Sequence, residues 1–206
     1  MKRMLQSLVL ILAGVTLLAP VTALAEAEVG EAAPDFTAVD SNGKSHNLSD
    51  FKGKTVVLEW TNPDCPYVIK HYDTKNMQSL QKKYTGKDVV WLTINSSAPG
   101  KQGHLDAAGA NKSIKESGSA QTAYLLDPEG KIGKQYAAKT TPHMYVVDGK
   151  GMLVYAGAID DNSSSRHSTV EGAKNYVAEA VDSLMSDQPV EVASTRAYGC
   201  SVKYAS

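Results

Sequence analysis

Four short apolar runs set apart by stretches of helical spacing decide what this chain can fold into. They are Thr55–Thr61, Asp88–Ile94, Ala123–Leu126 and His143–Val147. Each is short for a helix and rich in β-branched or aromatic residues, which is how buried strands read. Segments 66–84 and 105–116 lie between the first three and read as helices, the first opening on Pro66 and stopping at Gly86. Short strands alternating with helices predict an α/β fold, a central mixed β-sheet flanked by helices on both faces. Asp148-Gly149-Lys150-Gly151 joins the fourth run to Met152–Tyr155 as a β-hairpin. An N-terminal β-hairpin is expected from Phe36–Val39 and Ser45–Leu48 across Asp40-Ser41-Asn42-Gly43. Ile132–Ala138 reads as a short helix. Val170, Ala173, Val177, Ala180, Val181 and Leu184 give the spacing of a last helix over Val170–Met185.

The ends of the chain read differently. Lys2 and Arg3, an apolar run from Leu8 to Ala19, and Ala23-Leu24-Ala25 before Glu26 form the pattern of a secretory signal peptide over residues 1–25. The apolar run is shorter than the roughly 20 residues a spanning helix needs. Cleavage after Ala25 puts the product in the periplasm or outside the cell, with no membrane insertion expected of it. The mature chain carries 19 basic and 22 acidic side chains, a net charge of −3 with no basic block, which argues against nucleic acid as a partner. Residues 26–186 are then one domain, and 187–206 form a tail with Pro189, no helical period and Cys200 near its end.

There are two cysteines, Cys65 and Cys200. In an oxidising compartment an even pair suggests a disulfide. Cys65 lies where a strand turns into a helix, in Trp60-Thr61-Asn62-Pro63-Asp64-Cys65-Pro66-Tyr67-Val68. The unpaired N–H groups and dipole of a helix N-terminus favour a thiolate, the attacking form of cysteine. Asp64 beside it acts in the opposite sense. A partner thiol three residues on is missing, because that position is Val68. Cys200 is 135 residues away, but fifteen residues of tail beyond Met185 reach at most roughly 50 Å when extended, enough to meet Cys65 of the same chain or of a neighbour. Glu59, inside an apolar strand, needs a partner there. It can be the mate of a lysine on the sheet flank. His46, His71, His104 and His167 read as surface or capping residues, and Asp160-Asp161-Asn162-Ser163 as a polar loop.

The order strand, cysteine turn, helix, then Thr141-Pro142 before a β-hairpin resembles the thioredoxin fold. Ala33-Pro34-Asp35-Phe36, Gly53-Lys54, the insertion before Leu125-Leu126-Asp127-Pro128-Glu129-Gly130-Lys131, and Asn62–Val68 taken with Gly199-Cys200-Ser201 resemble the redoxin branch, in its peroxiredoxin-like subgroup. The resemblance spans Val29 to Met185. It implies a thiol-dependent oxidoreductase in which Cys65 attacks a peroxide or a disulfide, Cys200 resolves the product and an external thiol reductant resets the pair. It implies a cis Pro142 against Cys65, which exposes the Thr141 backbone for strand-like pairing with a substrate. The resemblance to thioredoxins also implies a buried proton relay at Glu59. No cofactor is called for. The chain departs from the Pro-x-x-x-Thr-x-x-Cys of peroxiredoxins, with Leu58 for the proline and Asn62 for the threonine, though the Asn62 amide could serve a bound peroxide.

Three other readings use the same residues. One is a thioredoxin-like disulfide reductase without peroxidase activity. A second is a copper- or zinc-binding protein with Cys65, His143 and Cys200 as ligands. The third is a redox-inert domain stapled by a Cys65–Cys200 bond.

Overall fold

The computed structural model describes residues 26–205, so the expected leader over 1–25 lies outside the described residues. Nine strands and five α-helices follow in chain order. The strands are β1 Thr37–Asp40, β2 Ser45–Asn47, β3 Val56–Trp60, β4 Val90–Asn95, β5 Ala123–Leu126, β6 Thr140–Thr141, β7 His143–Val147, β8 Leu153–Gly157 and β9 Cys200–Ser201. The helices are α1 Pro66–Asp73, α2 Asn76–Thr85, α3 Ala107–Ser117, α4 Lys131–Gln135 and α5 Tyr176–Met185. Seven strands make one sheet in the order β2-β1-β5-β4-β3-β7-β8, and β6 pairs with β9 in a separate ladder. β3, β4 and β5 run parallel, while β7, β8, β1 and β2 join antiparallel. The sheet is therefore mixed.

Strand alternation divides the core between the two faces. Leu58, Trp60, Leu92, Ile94 and Leu125 pack on one face against Ile132 and Tyr136 at α4. Val57, Trp91, Met144 and Val146 pack on the other against Met77, Leu80 and Tyr84 of α2 and Val177 and Val181 of α5. β3 is buried on both faces, as a central strand must be. That rigid strand delivers the cysteine turn at its C-terminal end.

The structure corrects several expectations. Segment 66–84 is two helices. Lys75 takes a left-handed conformation, and the last carbonyls of α1 are closed by the Thr74 hydroxyl on Lys70 O (2.6 Å) and by Gln78 Nε2 on Tyr72 O (2.9 Å). The last helix begins only at Tyr176. Residues 174–176 bond instead to the 159–161 loop, with Asp161 N on Lys174 O (3.1 Å) and Tyr176 N on Ile159 O (3.1 Å), and Asn175 caps the helix through Ala178 N. His46 and His71 are buried, not surface residues. His46 Nε2 lies 2.8 Å from the Asp40 carboxylate, and His71 packs in a cluster described below. The tail docks. Ser194 bridges Ala156, Val202 N donates to Lys139 O (3.1 Å), and the Tyr204 hydroxyl donates to Ala138 O (2.8 Å).

Candidate active site

Cys65 is the N-cap of α1, with Pro66 the first helical residue. Its N–H donates to Asn62 O (3.0 Å), and its carbonyl accepts from Val68 N (2.9 Å) and Ile69 N (2.8 Å). The thiol is thus carried on the first helical turn, and Cys65 is 0% exposed. It donates to Thr141 O at 3.0 Å, and Cys200 Sγ lies 2.7 Å away. Both are free thiols in this structure. The Thr141–Pro142 peptide bond is cis.

The β6–β9 ladder brings Cys200 there. Thr140 pairs with Ser201 and Thr141 with Cys200, antiparallel. Gly199 makes the approach possible. Its φ is +139°, and a Cβ built on it would lie 2.1 Å from Thr141 O. Burial, and then the Cys65 sulfur against it, push the Cys200 thiol up to about 11. Cys200 is therefore held as the protonated thiol.

A buried polar cluster fixes the tail just before Cys200. The Tyr198 hydroxyl donates to Asp160 Oδ1 and lies 3.3 Å from His71 Nε2. Asn76 Nδ2 sits 2.9 Å from His71 Nδ1, a network that assigns the remaining ring proton to Nε2. Lys70 Nζ donates to Asn162 O (2.9 Å) and Ser164 O (2.7 Å), stands 4.0 Å from Asp160 Oδ2, and lies 5.0 Å from the centre of the Tyr198 ring. Lys70, His71 and Asp160 are buried. Burial, and then Lys70, hold His71 down at about 3, so its ring is neutral. Burial raises Asp160 and lowers Lys70, as expected for charges withdrawn from water. The sequence offers Thr195-Arg196-Ala197-Tyr198 as a segment that could dock the tail, whereas it reads His71 as a surface or capping residue and gives Lys70 no role. The available signal was a tyrosine two residues before the tail cysteine, with the polar run Asp160–Ser163 as its receiver.

The other expected residues fall into two groups. Asn62 is buried beside the turn, but its carboxamide is committed. Oδ1 accepts from Asp64 N (2.9 Å) and Nδ2 donates to Gln102 O (3.2 Å). The Asp64 carboxylate accepts from Gly103 N (2.9 Å), which turns its charge onto the 96–103 loop. Glu59 meets no lysine. Its carboxylate accepts from Trp91 Nε1 (2.8 Å), Tyr72 Oη (2.8 Å), Thr93 Oγ1 (3.1 Å) and Gln81 Nε2 (3.1 Å). α1, α2 and β4 supply these neutral donors because they cover that face of β3. Burial still holds Glu59 above the usual carboxylate range. A cavity of about 140 Å³ lined by Thr61, Pro63, Val68 and Tyr72 lies between this network and the cysteine turn. His143 does not join the sulfurs. Its Nδ1 accepts from Lys139 N (3.3 Å) and lies 3.0 Å from Tyr145 Oη, and burial, with Lys139, holds it down at about 4. Among the described residues no group of three or more His, Cys, Asp or Glu side chains is arranged to hold a metal ion.

The family profile described as Redoxin matches residues 28–176. The chain is 30% identical over 126 residues to thiol-disulfide oxidoreductase ResA of Bacillus subtilis, a match covering 56% of this chain and 70% of the relative. It is 30% identical over 142 residues to peroxiredoxin-2 of Macaca fascicularis, covering 62% and 67%. In fold it is similar to a hypothetical protein of Sinorhizobium meliloti, with a TM-score of 0.73 at 24% identity over 87% of this chain and 96% of the other.

Proposed function

The chain belongs to the Redoxin family as a thiol-based oxidoreductase, and on that footing we propose that it exchanges disulfides through a Cys65–Cys200 couple formed within one chain. The observation that carries this reading is the 2.7 Å separation of the two sulfurs, held by a strand pairing of the same chain. In the reducing direction, Cys65 thiolate attacks a substrate disulfide, forms a mixed disulfide and expels one substrate thiolate. Cys200 thiolate then attacks Cys65 Sγ, closes the Cys65–Cys200 bond and expels the second. Two electrons pass from the enzyme dithiol to the substrate, and an external dithiol returns them.

Disulfide exchange is favoured over peroxide reduction by Asn62. It occupies the position of the peroxiredoxin threonine without a hydroxyl to offer, and one of its two amide N–H groups donates to Gln102 O. Thr141 and cis Pro142 shape the edge beside the thiol. Glu59 is a positioning residue that ties α1, α2 and β4 to the strand delivering Cys65. The pattern of residues 1–25 supports export with cleavage after Ala25, leaving residues 26–186 as the catalytic domain and 187–206 as the tail that brings the second thiol. N-terminal sequencing of the exported protein is expected to begin at Glu26. Among the described residues no helix is long and apolar enough to cross a membrane.

The test is stoichiometric oxidation of the reduced chain, read by peptide mass. A small disulfide is expected to close a monomeric Cys65–Cys200 linkage, and the Cys200→Ser protein to stop at a mixed disulfide on Cys65. Equal or faster closure by hydrogen peroxide would move the substrate class to peroxides. A linkage found only between two chains would refute the intrachain couple.

A further inference from the structure

We propose that Tyr204, seated in a slot made by Gly130 and Gly133, is a positioning residue for the closing step, and that Cys200 rides on a bridge of chain pinned at both ends. The proposal deepens the Cys65–Cys200 exchange reading and rests on it. α4 gives up helical preference to make the slot. Gly133 lies inside that helix, where glycine loses more backbone freedom on folding than alanine does. Its backbone is not left-handed, so conformation does not call for glycine there. Space does. A Cβ built on Gly133 would lie 2.7 Å from Tyr204 Cε1, and one on Gly130 would lie 2.5 Å from Tyr204 Cδ1. The seated ring donates its hydroxyl to Ala138 O (2.8 Å), and Lys134 Nζ lies 5.8 Å from its centre.

The slot is fixed to the strand that delivers Cys65. The Asp127 carboxylate accepts from Gly133 N (2.9 Å) and from Ser96 Oγ (2.6 Å), and Trp60 Nε1 donates to Ser96 Oγ (3.0 Å). Trp60 ends β3, five residues before Cys65. Between the slot and Cys200 the tail makes two backbone bonds, Val202 N on Lys139 O (3.1 Å) and Ala98 N on Lys203 O (2.8 Å). Tyr198 therefore holds the chain two residues before Cys200, on α1 and the 160–164 loop, and Tyr204 holds it four residues after, on α4. A thiol whose chain is tied on one side sweeps a larger volume than one tied on both. The second tie raises the effective concentration of Cys200 at Cys65, which is what the closing attack depends on.

The test mixes the reduced full chain with an equimolar amount of the symmetric disulfide of thionitrobenzoate. One protein thiolate attacks it, forms a mixed disulfide and releases one coloured thionitrobenzoate. The other protein thiolate then attacks the protein sulfur of that mixed disulfide, forms the Cys65–Cys200 bond and releases the second. The second release is first order and independent of reagent concentration, so its rate reads positioning. Tyr204→Ala is expected to slow it at least about tenfold, the ratio that ~1.4 kcal/mol of lost seating produces, with the first release unchanged or faster. Tyr204→Phe keeps the ring in the slot and is expected to retain most of the closing rate. Gly133→Ala fills the slot without altering the tail and is expected to slow closure as Tyr204→Ala does. The double substitution is expected to slow it no further than either alone, whereas two unrelated losses of stability would add. A second release at the parent rate in Tyr204→Ala, or additive effects in the double substitution, overturns the pin and leaves the exchange reading standing. Absence of a second release from the parent chain overturns both.

Discussion

Removing the Tyr198 hydroxyl isolates one contact of the docked tail. Tyr198→Phe keeps the ring against Tyr67, 5.9 Å between centroids, and under Lys70 Nζ, and deletes only the bonds to Asp160 and His71. Asp160 is left with Asn162 N (3.0 Å) and a distant Lys70. A hydrogen bond to a charged group contributes ~1.5–3 kcal/mol, and its loss here falls on tail docking because the Asp160 acceptor and the His71 Nε2–H donor both stay buried in the domain. At ~1.4 kcal/mol per factor of ten, the fraction of molecules with the tail open rises roughly 10- to 150-fold. The assay is alkylation of Cys65 by iodoacetamide in a Cys200→Ser background, with the rate in denaturant as the intrinsic reference. Where the tail recloses faster than the reagent reacts, the rate follows the open fraction and rises by the same factor. A rate unchanged by Tyr198→Phe, in a protein whose Cys65 stays slow relative to the unfolded chain, would show that Tyr198 does not hold the tail over the thiol.

Other substitutions test the supporting shell. Glu59 is raised by burial, so the stability it contributes is full below its unfolded value and is lost as pH rises through its raised folded value. Glu59→Gln is therefore expected to gain on the parent as pH rises from the ordinary carboxylate range through the raised folded value in urea titrations, and parallel profiles would refute the burial argument. Glu59→Leu orphans the Trp91, Tyr72, Thr93 and Gln81 donors and is expected to cost more than ~3 kcal/mol in the same titration. Gly103→Ala places a Cβ 1.9 Å from Asn62 Oδ1 at a φ of +75°. A cost of at least ~1–3 kcal/mol and a looser Cys65 turn are expected, read by urea midpoint and by alkylation. Because Cys200 is raised from 9.0 to about 11 in the reduced chain, its alkylation by iodoacetamide should accelerate throughout the pH range up to about 11, read by peptide mass. Over the same interval docking of the tail weakens, since the folded state holds the Cys200 proton more tightly than the unfolded chain does.

The central sheet was legible because its signals are local. Ala123–Leu126 and His143–Val147 are strands with the expected bounds, and the Asp148–Gly151 turn joins the expected hairpin. Cys65 at the start of a helix was legible from Pro66 alone. The break at Thr74–Lys75 was not, because it is stabilised by Gln78 and Asn76 reaching back over the end of α1. The late start of α5 has the same origin, since residues 174–176 find partners in the 159–161 loop, beyond the range of any periodicity. Cys200 was singled out by chemistry and by reach, but its position opposite Thr141 depends on a two-residue ladder between segments about sixty residues apart. Lys70 and His71 look like helix surface in sequence. They are buried because the 160–164 loop and Tyr198 of the tail together close over them.

The 135-residue separation of the two sulfurs has a thermodynamic side. Once joined, they would enclose everything from α1 to β9 in one covalent loop. A cross-link of that span removes about 5 kcal/mol of chain entropy from the unfolded state. A redox pair on adjacent helical positions closes a loop too small to matter in this way. In the proposed cycle each turnover would convert the molecule between an open chain and a ring, so the oxidised chain is expected to be the more heat-resistant form. By linkage, folding favours the disulfide by as much as the disulfide favours folding. A substitution anywhere in the core that weakens the fold therefore leaves the oxidised enzyme folded under conditions that melt the reduced one.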